Sequence, residues 1–298
     1  MKTAVIFLIV LLAGLRFGAP SQAQAQKADE AAGTFLINSG DLKIYALSDA
    51  TGSMGYNLLI GASPADLSKI AQDNGLSPKA QAFPSYVNVF LVVTPSDTIL
   101  VDTGNGPQAN LLASLKKINI SPDDITAVIL THFHGDHIGG LLSIDNQPQF
   151  KNAFVYADSL EYDYWITQNP TERVKKALAP YEKNGRYKSF AAGDNILKGV
   201  KALPLYGHTA GHTGFLFDGG EKPFLAWGDI VHVAYVQFGL PEISMTYDSD
   251  PKKAAETRES IFKEASEKGY LVSGAHLPFP GIGYVSKKGQ AYEFKLYQ

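Results

Sequence analysis

The sequence predicts an α/β fold, a four-layer αββα sandwich in which two mixed sheets pack face to face and helices cover their outer faces. Three observations predict it. The β-rich runs fall into two blocks, with helical patterns between and after them. Two segments resemble each other: "VFLVVTPSDTILVDTG" and "GFLFDGGEKPFLAWGDI" each run strand, polar turn, strand, and finish on an aspartate, Asp102 and Asp229, as an internal duplication would. No Ser-, Gly- or Pro-rich linker divides residues 26–298, which read as one domain.

Residues 1–25 stand apart from that domain. Met1-Lys2 precedes an apolar run from Ala4 to Leu15, too short to span a bilayer as a helix, and "AQA" at Ala23 to Ala25 fits the small-x-small rule of signal cleavage. A removed signal peptide, a periplasmic or secreted protein and no stable membrane anchor are expected. The chain has no cysteine, so neither a disulfide framework nor a thiol for lipid attachment is available. A formal net charge of −3 without clustered Lys and Arg argues against nucleic acid, whose binding depends on such clusters. A small, neutral, hydrophobic substrate fits this balance better, and a homodimer stays open.

Taken in order, "LKIYALSDAT" (42–51), "VNVFLVV" (87–93) and "TILVDTG" (98–104) read as strands bounded by Gly, Pro and Asp. Between the first two, Ser63 can cap a short helix with Pro64 at its first position and Gly75 beyond its end, inside a long and mobile-looking connection. "ANLLASLKKINI" reads as a helix, and "DITAVILTH" (124–132) as a buried strand. "SLEYDYWITQ" and "TERVKKALAPYEKNG" are helical, the second interrupted at Pro180. After the strands "VKALPLYG", "TGFLFDGG" and "PFLAWGDIV" comes the clearest helix, "DPKKAAETRESIFKEASEKG", capped by Asp250 with Pro251 first inside and Gly269 at its end. It leads into "YLVSGAH", a strand ending on histidine.

The stretch "THFHGDHIGG" places three of the chain's seven histidines and an aspartate within six residues. Imidazoles so crowded repel when protonated and bury poorly when neutral, whereas a metal ion uses them. His132 and His134, two apart in an extended segment, project to the same side and can hold one ion. Gly135 allows a sharp turn that aims Asp136 and His137 at a second. Two zinc ions in four- or five-coordinate geometry need further donors, and strand ends supply them: His212 in "GHTAGH", His276 in "GAH", and Asp229, whose two oxygens can bridge the ions. His212 would complete the His132/His134 site and His276 the Asp136/His137 site. Asp102 reads either as a partner orienting a ligating imidazole or as a strand-end turn aspartate. His208 reads as a hydrogen-bonding residue of the loop that presents His212.

The ordered set "THFHGDHIGG", "GHTAGH", "WGDI" and "GAH" resembles the metallo-β-lactamase superfamily of hydrolases, from about Leu42 to the end. The resemblance implies the αββα fold, two metal ions and the ligand roles above. Departures narrow the branch: no cysteine stands where many β-lactamases bind zinc through one, and only about twenty residues follow His276, too few for a glutathione-binding helical domain. "GDLKIYALSDAT", "DIVHVAYVQF", "DSDPKKAAETR" and "GYLVSGAHLPFPGIG" are most similar to the branch of methyl parathion hydrolases and aryl-lactone hydrolases. That implies a dinuclear zinc hydrolase that opens lactones or aryl esters with side activity on organophosphate triesters. A dedicated organophosphate hydrolase, an N-acyl homoserine lactone quorum-quenching lactonase, a β-lactamase and a non-catalytic zinc protein are the alternatives.

In the expected mechanism the two ions lower the pKa of a shared water toward about 7 and polarise the carbonyl or phosphoryl oxygen. Asp136, beside the nucleophile, carries a proton to the leaving group, and Asp229 bridges the ions. Trp165, Tyr164, Phe238 and Tyr247 are candidates for the pocket wall or for core. His232, three residues beyond Asp229, is either a hydrogen-bond donor at the mouth of the site or a packed histidine.

Overall fold

Sixteen strands and seven α-helices are described in the computed structural model, which covers residues 33–297. The expected leader, 1–25, lies outside these residues. The first half of the chain contains β1 (Thr34–Ser39), β2 (Leu42–Gly55), β3 (Leu59–Ile60), β4 (Ala82–Val93), β5 (Thr98–Val101), β6 (Ala127–Ile129), β7 (Phe154–Asp158) and β8 (Tyr187–Phe190). Its helices are α1 (Pro64–Asp73), α2 (Leu111–Lys117), α3 (Gly135–Ile138), α4 (Ser159–Tyr162) and α5 (Glu172–Lys183). The second half contains β9 (Asn195–Leu197), β10 (Val200–Pro204), β11 (Thr213–Phe217), β12 (Phe224–Ala226), β13 (Ser244–Met245), β14 (Leu271–Ser273), β15 (Ile282–Lys288) and β16 (Ala291–Leu296), with helices α6 (Ala234–Gln237) and α7 (Pro251–Lys268).

Two seven-stranded sheets result, ordered β1-β2-β4-β5-β6-β7-β8 and β16-β15-β14-β12-β11-β10-β9. The chain passes from one sheet to the other once, between Phe190 and Asn195. Strands that are apolar on both faces explain the layering. Along β4, Phe90 and Val92 face the opposite sheet while Val89 and Leu91 face helices; along β12, Phe224 and Ala226 face inward while Leu225 packs outward. Phe215 and Phe217 of β11 join the inter-sheet core. Leu111 and Leu115 of α2 and Val174 and Leu178 of α5 cover the first sheet, and Ile261, Phe262 and Ala265 of α7 cover the second. These are the four layers of the sandwich.

The segment between β2 and β4 differs from the mobile connection expected. Both strands run on past the sheet as a paired ribbon, in register as far as Gly55 and Ala82, and α1 packs beneath it through Leu67 and Ala71. Gly52, Gly55 and Pro84 break the alternation by which the ribbon would be read as β. The second difference is at Pro180, which lies inside an unbroken α5. Proline removes one hydrogen bond to the carbonyl four residues back, here that of exposed Lys176, where water can accept the loss, and buried Tyr181 anchors the last turn. The caps of α7 follow the pattern read for it: the Asp250 carboxylate accepts the Lys253 N–H at 3.0 Å and Gly269 ends the helix at φ 63°.

Candidate metal centre

Parallel pairing gives both sheets the same functional edge. β5 runs parallel to β6 and β12 parallel to β14, and the segments leaving β5, β6, β12 and β14 carry Asp102, the histidine cluster, Asp229 and His276. The edges are tied across the seam: the Thr213 N–H donates to Thr131 O at 2.9 Å and the Asn88 N–H to Ala275 O at 2.8 Å. All seven histidines of the chain lie in or against this seam.

Asp102 organises the first segment. Its carboxylate accepts the Thr131 N–H and Oγ–H, each at 2.8 Å, and lies 2.8 Å from His137 Nδ1. It does so from the left-handed region, φ 62°, a conformation that costs a non-glycine residue energy and concentrates at functional sites. With Nδ1–H committed to Asp102, His137 aims Nε2 inward, 3.2 Å from Asp229 Oδ1. The same device recurs. His276 donates through Nδ1 to Tyr86 O at 2.6 Å and places Nε2 3.1 Å from Asp229 Oδ2. His208 pairs Nδ1 with Asp248 at 2.7 Å and places Nε2 3.0 Å from His134 Nδ1 and 3.2 Å from His132 Nε2. Three convergent donor groups result: His132, His134, His208 and Asp229; Asp136, His137 and His276; and Asp229, His232 and His276. Asp229 stands between the first two.

His212 is a correction to the sequence reading. Its Nδ1–H donates to Leu205 O at 2.9 Å and its Nε2 accepts the Asp229 N–H at 3.0 Å, so both ring nitrogens are used and His208 takes the third place beside His132 and His134. His212 immediately precedes β11 and its carbonyl already bonds to Leu205 N, whereas His208 lies in the loop between strands, free to turn inward. That position relative to the strand was the available signal. Gly228 permits the packing: a Cβ there would lie 2.6 Å from His212 Nε2, and its φ is 58°.

The electrostatics call for a cation. Burial and the neighbouring His208 push His134 down to about 3, and burial with His137 holds His132 well below the usual imidazole range. His208 is raised to about 9: burial opposes its charge, but Asp229 and Asp248 outweigh burial. Asp229 stays well below the usual carboxylate range against its burial because His137 and His276 face it. His137 Nε2 and Asp229 Oδ1 are buried without a hydrogen-bond partner. His208 Nε2 facing the nitrogens of both His134 and His132, and His137 Nε2 and Asp229 Oδ1 left without hydrogen bonds although 3.2 Å apart, fit metal ligation better than an internal hydrogen-bond scheme.

Above the donors opens a cavity of about 450 Å³, with His134, Asp136, Asp229, His232 and His276 on its floor and Met54, Leu58, Val87 and Tyr247 on its wall. Of the residues proposed for substrate, Tyr247 lines it and His232 lies at its base, 1% exposed, with Nε2 3.1 Å from Asp229 Oδ2. Phe238 does not: it is stacked between Phe262 and Phe294 at 4.9 and 5.2 Å, in the core beneath α7. Trp165 sets its edge against His134 at 5.6 Å and Tyr164 packs on Trp165, both away from the cavity lining. Met54, in the unread ribbon, and Leu58, in the turn just beyond it, escaped sequence reasoning; Val87 opens a strand that was read, but nothing in its pattern marks it as facing the site. Glu161 and Asp248 escaped because an isolated acid carries no motif.

The family model for the metallo-beta-lactamase superfamily matches residues 82–276, the span from the ribbon to the last histidine. The chain belongs to that superfamily, and with this donor set it is a metal-dependent hydrolase of it. Among solved structures it is similar to the hydrolase AbOPH (31% identity, TM-score 0.84, 89% of this chain and 98% of that one) and to AidC, a dizinc quorum-quenching lactonase (25% identity, TM-score 0.81, 89% and 98%). Metallo-beta-lactamase domain-containing protein 1 of Xenopus laevis is 26% identical over 78% of this chain and 91% of its own length, and an N-acyl homoserine lactonase of a Bacillus species is 27% identical over 43% and 57%.

Proposed function

We propose that the protein is a dinuclear zinc hydrolase that opens lactones or aryl esters, close to the aryl-lactone and methyl parathion hydrolase branch, with weaker activity on organophosphate triesters. One observation carries the reading: two of the convergent donor groups flank Asp229 on the floor of a cavity whose wall is Met54, Leu58, Val87 and Tyr247 and whose lining contains no Lys or Arg. An apolar wall over a polar floor suits a neutral, hydrophobic substrate, and apart from the metal site the lining has no Lys or Arg to hold a substrate carboxylate or phosphate. Similarity to a lactonase named as dizinc supports both the class and the metal count.

His132, His134 and His208 would hold one ion, Asp136, His137 and His276 the other, and Asp229 both. When bound, the pair supplies a water of lowered pKa and a Lewis acid for the carbonyl or phosphoryl oxygen. The chain does the rest. Asp136, whose side chain is 30% exposed, faces the cavity and can pass a proton to the departing alkoxide or phenoxide. His232 holds Asp229 from the side opposite His137. The wall residues exclude water from the substrate's apolar end. Export behind a signal peptide completes the proposal.

The test is a panel of lactones, aryl esters, phosphotriesters and β-lactams, run on zinc-loaded protein with its metal content measured. Two ions per chain and a preference for lactone or aryl ester are expected. One ion per chain in excess zinc, or turnover confined to β-lactams, would refute the reading.

A further inference from the structure

The two loops that bring His132, His134 and His208 together belong to different sheets, and one buried carboxylate joins them. Glu161, in α4, is 1% exposed and meets four donors. Its Oε1 accepts the Phe133 N–H at 2.9 Å and the Trp165 indole N–H at 2.6 Å; its Oε2 accepts the Thr209 hydroxyl at 2.7 Å and the Gly211 N–H at 2.9 Å. Phe133 lies between His132 and His134, and Thr209 follows His208. The approach is tight: a Cβ at Gly211 would lie 2.2 Å from the Glu161 nitrogen, so the loop can seat on α4 only with glycine there. Beyond α4 the chain forms a π-helical stretch, Asp163–Gln168, a geometry that re-aims side chains and recurs at functional sites. It turns Trp165 back onto Glu161, in a T-shaped contact with His134 whose ring centroids lie 5.6 Å apart.

We propose that Glu161 is a positioning residue for the His132/His134/His208 ion, clamping the two loops at ligating distance, and that Trp165 senses occupancy of that ion. The inference rests on the dinuclear reading. It separates the two ions, because no Glu161 contact reaches Asp136, His137 or His276; Asp102 orients His137 and Tyr86 O orients His276. An acid satisfied by four donors cannot be replaced by its amide without turning an NH₂ toward at least one N–H. One loop then loses its anchor while the other keeps it.

The experiment is a zinc titration of chelator-stripped full-length protein, following tryptophan emission with chelator competition to obtain both binding constants. Only Trp165 and Trp227 contribute, and Trp227 is fully buried on the far side of the second sheet, so a Trp165→Phe variant assigns the signal. For Glu161→Gln we expect one of the two steps to weaken tenfold or more, the other to stay within about twofold, and the zinc-induced emission change to shrink. Thr209→Val, which removes a single donor, should weaken the same step severalfold and serves if Glu161→Gln fails to fold. Wild-type constants in a folded Glu161→Gln variant, in Thr209→Val where that one stands in, or an equal fall in both steps, overturn the clamp. A wild-type protein that takes up no zinc fails the dinuclear reading instead, and the clamp with it.

Discussion

His208 and His212 stand four residues apart in one short motif, and what separates them is their second ring nitrogen. His208 spends Nδ1 on Asp248 and offers Nε2 to His132 and His134; His212 spends both nitrogens on backbone. His208→Ala should therefore cost about one metal ion per chain and nearly all activity, measured by elemental analysis of dialysed protein. His212→Ala instead leaves the buried Asp229 N–H and Leu205 carbonyl unpartnered, which costs on the order of 1–3 kcal/mol each, and should lower the urea midpoint before it lowers metal content. Equal metal loss in both would return His212 to the ligand set. At the base of the cavity His232 is held by Asp229 through Nε2 while its Nδ1 has no partner. In His232→Leu the cavity floor becomes apolar, so lactone kcat/KM should fall and phosphotriester kcat/KM hold or rise, with zinc content checked. An equal fall in both would remove His232 from substrate selection. The cluster His132 to His137 was legible in the sequence because proximity along the chain is proximity in space there. The choice between two loop histidines was less plain: beyond their position relative to β11, it depends on Leu205 and Asp248, residues with no motif of their own.

At the scale of elements, the strands that show in the sequence are runs of β-branched and aromatic residues bounded by Gly, Pro and Asp, and the helix that shows best, α7, carries its own cap, proline and terminal glycine. The ribbon continuing β2 and β4 was hidden because it packs on one side only and its glycines and proline read as turns. Helix α5 makes a measurable prediction. Its Tyr181 hydroxyl donates to Leu141 O at 2.8 Å and accepts the Phe150 N–H at 3.2 Å, and burial pushes its pKa up to about 12. The folded value lies above the unfolded one, so this stability is complete below about pH 10 and is lost as pH rises through 12, because the unfolded chain alone releases the proton between them. The ceiling is about 3 kcal/mol for two units. Urea midpoints at pH 9 and pH 11 should differ less in Tyr181→Phe than in wild type. An identical fall in both would show that Tyr181 is not the responsible group.

At the scale of the molecule, the single passage between sheets has a consequence for assembly. His132, His134, Asp136 and His137 precede it; His208, Asp229 and His276 follow it. Cut in the exposed turn at Ala191–Asp194, the protein becomes a pair of half-chains, each with its own seven-stranded sheet, joined by an apolar interface, the β3–β13 pairing, hydrogen bonds across the seam and the candidate metal ligands. On the dinuclear reading proposed above, bound zinc becomes a term in an association constant: each ion would be held by residues of both halves, and its removal would withdraw that free energy from the complex. A protein carrying a protease site in this turn, nicked after folding, should run as one species on gel filtration in mild urea with zinc and separate into two when a chelator is added. Halves that stay together equally well without metal would show that the apolar and hydrogen-bonded contacts between them suffice, and that metal does not act as a staple.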